Sequence, residues 1–420
     1  MTPTQLEYKV PPNTGNSSFE VVVRVIFSLV IFYVLLNSSC SSMENLQDPE
    51  IRKSLERVYR ACGYSAEDAR TPSTHPIVVV EEGFYTEHED LKNVFINPWD
   101  PIGSSKNIDQ ILHPERCVHG TSVSGIIHDL TPTAKIIPIL RDTEAHRKKL
   151  AFFDSVGCKL EREILPTILN YSLNKTQGKI INLSQNLSEA AGFTTPISQN
   201  VKDVLMKAFS EDKIIVVAAG NACLPMDSIS NARDLGELAE LSNHKLILVG
   251  ATVYSSKHEK EQLWVDGQFP LLNIDRDYIT SIMDTTTPEK KDTYLKLLSD
   301  KEFLLGSIHP GEKDAYQNIF ITAPTNHYAP YANFPAPHIC YKPSKNARRY
   351  SGMTSCAAPV VTSFVERLWT HYPNATAEEI GLSIYHGANK DVVDYVRNFY
   401  GEGLVNYRNS LELLKDIKRY

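Results

Sequence analysis

Short, almost wholly apolar runs alternate along the chain with longer stretches in which apolar positions recur every three or four residues. The runs are Ile77–Val80, Ala134–Ile139, Lys179–Leu183, Ile214–Ala218, Leu246–Val249 and Ile319–Thr322. Continuous apolarity over four to six residues, rather than alternation, is what a strand buried on both faces of a parallel sheet requires. Between these runs Ile197, Val201, Val204, Leu205 and Ala208 fall on one helical face. Val361, Phe364, Val365 and Leu368 follow the i, i+3, i+4, i+7 spacing of another. Strands alternating with amphipathic helices predict an α/β fold in three layers, a mostly parallel sheet flanked by helices on both faces. A short helix is expected at Pro49–Ala61 and a Pro/Ser/Thr-rich linker at Thr71–Pro76. Tyr254–Asp314, mixed in charge and without a regular period, reads as a surface insertion in the same domain.

The amino terminus has a different pattern. Residues 21–36 are apolar except for Arg24 and Ser28, and lead into Asn37-Ser38-Ser39-Cys40. The uncharged part, Val25–Leu36, is shorter than the ~20 residues of a spanning helix and matches the apolar core of a secretory signal. Small residues before Cys40 also resemble a lipoprotein processing site, at which that cysteine would carry the lipid. Residues 1–40 are therefore read as a signal peptide or as a membrane or lipid anchor, and 41–75 as a linker with a short helix. The expected location is outside the cytoplasm, either anchored at a periplasmic or cell-surface membrane or secreted.

Composition narrows the partners. Apolar residues make up 42% and charged residues 22% of the 420, as in globular chains, and the length suffices for a full core. With 43 Lys and Arg against 50 Asp and Glu the net charge is −7, so no bulk positive field attracts a nucleic-acid backbone. Seven cysteines occur with no C-x-x-C pair and no His/Cys group at metal-ligand spacing, so neither a structural zinc nor a disulfide framework is expected.

Three short segments carry candidate chemistry. In His119-Gly120-Thr121-Ser122-Val123-Ser124-Gly125 a histidine opens a small-residue helix; Val216-Val217-Ala218-Ala219-Gly220-Asn221 is a buried strand that ends on an amide; Ser351-Gly352-Met353-Thr354-Ser355-Cys356-Ala357-Ala358-Pro359 sets a serine at a helix start. Each alone has an ordinary structural reading, as a packed histidine, a turn residue and an N-cap. Their order on one chain resembles the subtilase family, the subtilisin-like serine proteases. Thr131–Ile137, Ile181–Ser184 and Gly401–Asn406 extend the resemblance, which spans roughly residues 75–412.

The resemblance implies a subtilisin-like peptidase domain over about 76–415 and a hydrolase acting on a polypeptide through an acyl-enzyme. Carried over, Ser355 is the nucleophile, His119 the general base and Asn221 an oxyanion-hole donor. Ser184-Gln185-Asn186 lines the first specificity pocket and binds substrate. No redox cofactor or nucleotide is implied; calcium often stabilises the family, but no ligand cluster here is specific enough to name. A monomer is expected.

The departures are specific. Where the family ends its first strand in aspartate, Ile77-Val78-Val79-Val80-Glu81-Glu82-Gly83 offers Glu81. Glu81 rather than Glu82 is expected to meet the imidazole, because it lies two residues along from core-facing Val79. Its extra methylene requires a shift of about 1 Å, an error that can cost about 10²-fold in rate. Met353 stands where the family has glycine, and it is strained if that position needs positive φ. Asn186 stands for a pocket glycine, and residues 41–75 are too few for the usual inhibitory propeptide. Cys356 reads as a small packed residue rather than a second nucleophile. These departures also favour an alternative, a pseudoprotease that keeps the scaffold as a binding module at a membrane surface, and leave a weaker third reading as an esterase or peptide ligase.

Overall fold

The computed structural model describes residues 48–81, 83–100, 119–141, 165–173, 176–185, 187, 196–221, 224–228, 230–264, 307–325, 327–330 and 346–418. The apolar segment 21–36, Cys40, Glu82, Asn186 and five of the seven cysteines lie outside them. The described residues all belong to one unit, 41–420.

Five parallel strands form the centre of the main sheet. They are β1 (Ile77–Glu81), β2 (Ile136–Leu140), β3 (Ile180–Leu183), β4 (Ile214–Ala218) and the amino-terminal half of β5 (Leu246–Ser255), in the order β2-β1-β3-β4-β5. The far half of β5 pairs antiparallel with β6 (Lys260–Leu263), and its first half pairs parallel with β7 (Phe320–Pro324). A separate hairpin joins β8 (His327–Pro330) to β9 (Arg348–Ser351). β1 to β4 are buried at every position, the condition their continuous apolarity anticipates.

Two apolar layers sandwich the sheet, because alternate strand residues face opposite sides. On one side Ile77, Val79, Ile136, Ile180, Ile214 and Val216 meet α1 (Pro49–Cys62) and α2 (His119–Leu130). The long helix Thr354–His371 packs on the same side. On the other side Val78, Val80, Ile137, Ile181 and Val217 meet helical residues 165–173 and the helices Gln199–Ser210 and Ser230–Leu241. The remaining long helices, Ala377–His386 and Tyr407–Ile417, join the first layer, so in chain order they are α3 (165–173), α4 (Gln199–Ser210), α5 (Ser230–Leu241), α6 (Thr354–His371), α7 (Ala377–His386) and α8 (Tyr407–Ile417).

Local chemistry sets the helix ends. Asp48 accepts from the Glu50 N–H at 2.7 Å ahead of Pro49, and Gly63 ends α1 in the left-handed conformation, as N-cap and C-cap rules require. Thr376 and Glu379 form a capping box at the start of α7. Buried Arg367 of α6 holds Thr71 and Ser73, so the linker expected at 71–76 is tied to the domain. Residues 254–263, read from the sequence as the start of a surface insertion, instead complete β5 and form β6 in the main sheet. Residues 265–306 of that stretch lie outside the described residues. Among the described residues no helix is long and apolar enough to cross a membrane.

Candidate active site

Ligands of open parallel sheets gather outside the carboxyl ends of the strands, and the candidate residues converge there. Glu81 is the last residue of β1, Gln185 follows β3, Asn221 follows β4, and the histidine and serine open α2 and α6. Gly120 lets α2 press against the end of β1. A Cβ there would sit 2.7 Å from the Gly83 carbonyl and 2.9 Å from the Glu81 Cβ, closer than real Cβ atoms come.

The resulting contact is a chain of hydrogen bonds. His119 Nδ1 lies 2.9 Å from Glu81 Oε2, and His119 Nε2 lies 3.1 Å from Ser355 Oγ. A carboxylate only accepts, so Nδ1 carries the proton and Nε2 presents a lone pair to the serine hydroxyl. Glu81 is wholly buried while the imidazole is partly exposed, so the carboxylate is shielded and the ring is reachable from solvent. Val79 and Glu81 share a face of β1, which is why this glutamate points at α2 and α6.

Asn221 is oriented by the helix that carries the serine. Its Oδ1 accepts from the Thr354 N–H at 3.1 Å and from Thr354 Oγ1 at 2.8 Å, while Thr354 Oγ1 accepts from the Gly220 N–H at 3.2 Å. With the amide oxygen so occupied, the Nδ2 end is the donor left to face a substrate. Ser355 lies in the first turn of α6, where backbone N–H groups have no intrahelical acceptor. Cys356 beside it is buried.

Ser184 and Gln185 are more internal than a pocket lining. Ser184 Oγ accepts from Asn182 Nδ2 at 2.9 Å, and Asn182 Oδ1 accepts from Thr362 of α6 at 2.8 Å. The Gln185 amide turns to the acid, with Nε2 2.7 Å from Glu81 Oε2 and Oε1 2.6 Å from Arg141 Nη1. Sequence reasoning missed these parts of Gln185, Arg141 and Thr354. Arg141 and Gln185 each lie two residues beyond a predicted strand, the one signal that could have pointed to them.

Met353 precedes the helix with φ 73° and ψ 176°, and its side chain is 39% exposed. This region is open without strain only to glycine and costs a side-chain residue about 1–3 kcal/mol. Its carbonyl is held by Thr325 Oγ1 at 2.7 Å, so the turn cannot relax independently. Met353→Gly is expected to raise thermal stability by about 1 kcal/mol net, after the added entropy of glycine in the unfolded chain is subtracted. Differential scanning calorimetry checks this, and a lower midpoint would refute it.

Among the described residues no group of three or more His, Cys, Asp and Glu is placed to hold a metal ion, and the chemistry below uses none. A model of the subtilase family matches residues 75–403. Among solved structures the fold is similar to fervidolysin from Fervidobacterium pennivorans, a keratinolytic enzyme related to subtilisin. The identity is 17% and the TM-score 0.52, over 89% of this chain and 50% of that one, so this chain spans half of its length. A protease from Pseudoalteromonas arctica is 17% identical with TM-score 0.53, over 87% of this chain and 98% of its own. A lanthipeptide protease is 14% identical with TM-score 0.51, over 87% and 96%. No curated protein sequence matches the chain.

Proposed function

The chain belongs to the subtilase family, and from that premise we propose that it is a serine endopeptidase that cleaves polypeptides through an acyl-enzyme on Ser355, with a Glu81-His119-Ser355 triad and Asn221 in the oxyanion hole. The observation that carries the reading is the single imidazole that bridges a buried carboxylate and a serine hydroxyl at 2.9 and 3.1 Å.

A serine hydroxyl is a weak nucleophile until a neighbouring base takes its proton. His119 Nε2 receives that proton as Oγ attacks the scissile carbonyl, and Glu81 stabilises the imidazolium that forms without itself becoming protonated. The Ser355 N–H and Asn221 Nδ2 donate to the oxygen that becomes negative. One such donor is worth about 10²–10³ in rate, a magnitude measured in subtilisin. The imidazolium then gives its proton to the leaving amine, and water repeats the sequence on the ester. The peptide is read as lying extended, adding a strand beside the segment that follows β3.

Residues 1–40 add the reading that the chain is exported and held at a membrane or released from it. One experiment tests both parts. Cells that express the full chain are treated intact with a membrane-impermeant fluorophosphonate, which reports nucleophile activation without a known substrate. The expected result is a labelled band of the right mass that is absent in Ser355→Ala. A band that labels only after lysis would overturn export. No labelling of folded protein before or after lysis would overturn the triad and favour the binding-module reading, which the strained Met353 beside the serine supports.

A further inference from the structure

We propose that Gln185 is the positioning residue that allows a glutamate to act as the acid of this site, with Arg141 setting the direction of its amide. The proposal rests on the roles given above to His119 and Ser355.

A glutamate has one more rotatable bond than an aspartate, so its carboxylate can sweep a wider volume and must be fixed to hold an imidazole. Glu81 Oε2, the oxygen that meets His119 Nδ1, also accepts from Gln185 Nε2 at 2.7 Å. Two donors from different elements therefore converge on one oxygen and define its place. The amide cannot be reversed, because an arginine carries only N–H donors. Arg141 Nη1 at 2.6 Å demands the amide oxygen, which turns Nε2 towards the carboxylate.

The strand order builds this arrangement. β1 lies between β2 and β3, so Arg141, which directly follows β2, and Gln185, two residues beyond the end of β3, reach the end of β1 from either side. The donor polarity runs from Arg141 through Gln185 to Glu81, and from His119 to the same carboxylate. An apolar side chain of equal length at 185 would fill the space and fix nothing.

The test measures fluorophosphonate inactivation of the full chain against probe concentration and pH, for wild type, Gln185→Leu, Gln185→Met, Glu81→Ala and the Gln185→Leu/Glu81→Ala double variant. Gln185→Leu and Gln185→Met are expected to lower the maximal inactivation rate about 10–100-fold, as a misplacement near 1 Å does, with the half-saturating probe concentration unchanged. The imidazole limb of the pH profile is expected to move to lower pH, because a carboxylate that has drifted stabilises the imidazolium less. In the Glu81→Ala background Gln185→Leu is expected to add no further loss, since it acts through the group already removed. Gln185→Glu, which keeps the length but offers no donor, is expected not to rescue.

An unchanged rate and pH profile in both Gln185 variants would overturn the proposal. So would multiplicative losses in the double variant, or a change confined to the half-saturating concentration, which would make Gln185 a pocket wall. A wild type that never labels would overturn the triad reading and this one together, whereas labelling wild type with silent Gln185 variants would overturn this one alone. If Gln185→Leu does not fold, Gln185→Met and Arg141→Leu carry the test, the latter expected to lower the rate in the same direction.

Discussion

Replacing Glu81 with alanine lowers the rate of Ser355 modification and of peptide hydrolysis by about 10⁴-fold, the size of the loss when the acid of a Ser-His-Asp triad is removed. In the proposed mechanism the carboxylate has two tasks. It would select the His119 tautomer with the proton on Nδ1, from which it lies 2.9 Å away, and offset the positive charge that the ring gains as Ser355 attacks. Glu81 is wholly buried, so water does not supply the missing acceptor at low cost. Glu81→Asp keeps the charge but withdraws it from both His119 and Gln185, and the expected loss is intermediate, about 10²-fold. The check is the second-order rate constant for fluorophosphonate inactivation of the three proteins at one pH. Equal rates for wild type and Glu81→Ala would mean that the imidazole works without its carboxylate, contrary to the proposed mechanism.

Arg348→Met destabilises the domain by about 3–5 kcal/mol, because it leaves two carboxylates without their shared cation. Arg348 is 1% exposed and lies on β9, four residues ahead of Gly352 and the turn into α6. Its guanidinium binds Asp129 of α2 in a two-pronged contact at 2.8 and 2.9 Å, Asp90 at 2.8 Å and the Tyr328 carbonyl at 2.8 Å. Burial opposes its charge, but Asp129 and Asp90 more than offset that and raise its pKa above the ordinary arginine value. The side chain therefore clamps the helix that begins with His119 to the strand that leads to Ser355. Urea unfolding gives the stability change directly. Loss of the clamp is also expected to slow Ser355 labelling in the protein that remains folded, through a looser His119–Ser355 contact. A change within about 0.5 kcal/mol, the range of ordinary surface substitutions, would refute the clamp.

Much of this architecture is legible along the chain. The six apolar runs are six strands of the main sheet within a few residues, because burial on both faces demands an apolar residue at every position. The helix at 49 is legible through Asp48, Pro49 and Gly63, whose effects are confined to one turn. β6, with the polar sequence Lys-Glu-Gln-Leu, and β9, with two arginines, carry no such signature. Each is held by pairing and by ion pairs to distant residues: Glu261 of β6 binds Arg57 of α1 at 2.7 Å, and Arg348 of β9 binds Asp129. The strain at Met353 was conditional in the sequence, and the backbone settled it at φ 73°.

The site divides along the same line. His119, Asn221 and Ser355 stand in short segments whose residue types are tied to local shape, a helix start or a strand end, so the sequence by itself determines which residues are brought to those ends and which α/β fold carries them. The partners of those residues are decided by tertiary structure. Gln185 reads as a pocket residue until β1 is seen between β2 and β3, when its amide meets Glu81 across 104 positions and Arg141 across 44. Asn221 reads as a donor from its position, but which end of its amide donates is set by Thr354, 133 residues away. Periodicity and capping act over a few residues and leave a trace in the sequence; hydrogen-bond direction depends on strand order and helix placement, which exist only once the whole sheet has closed.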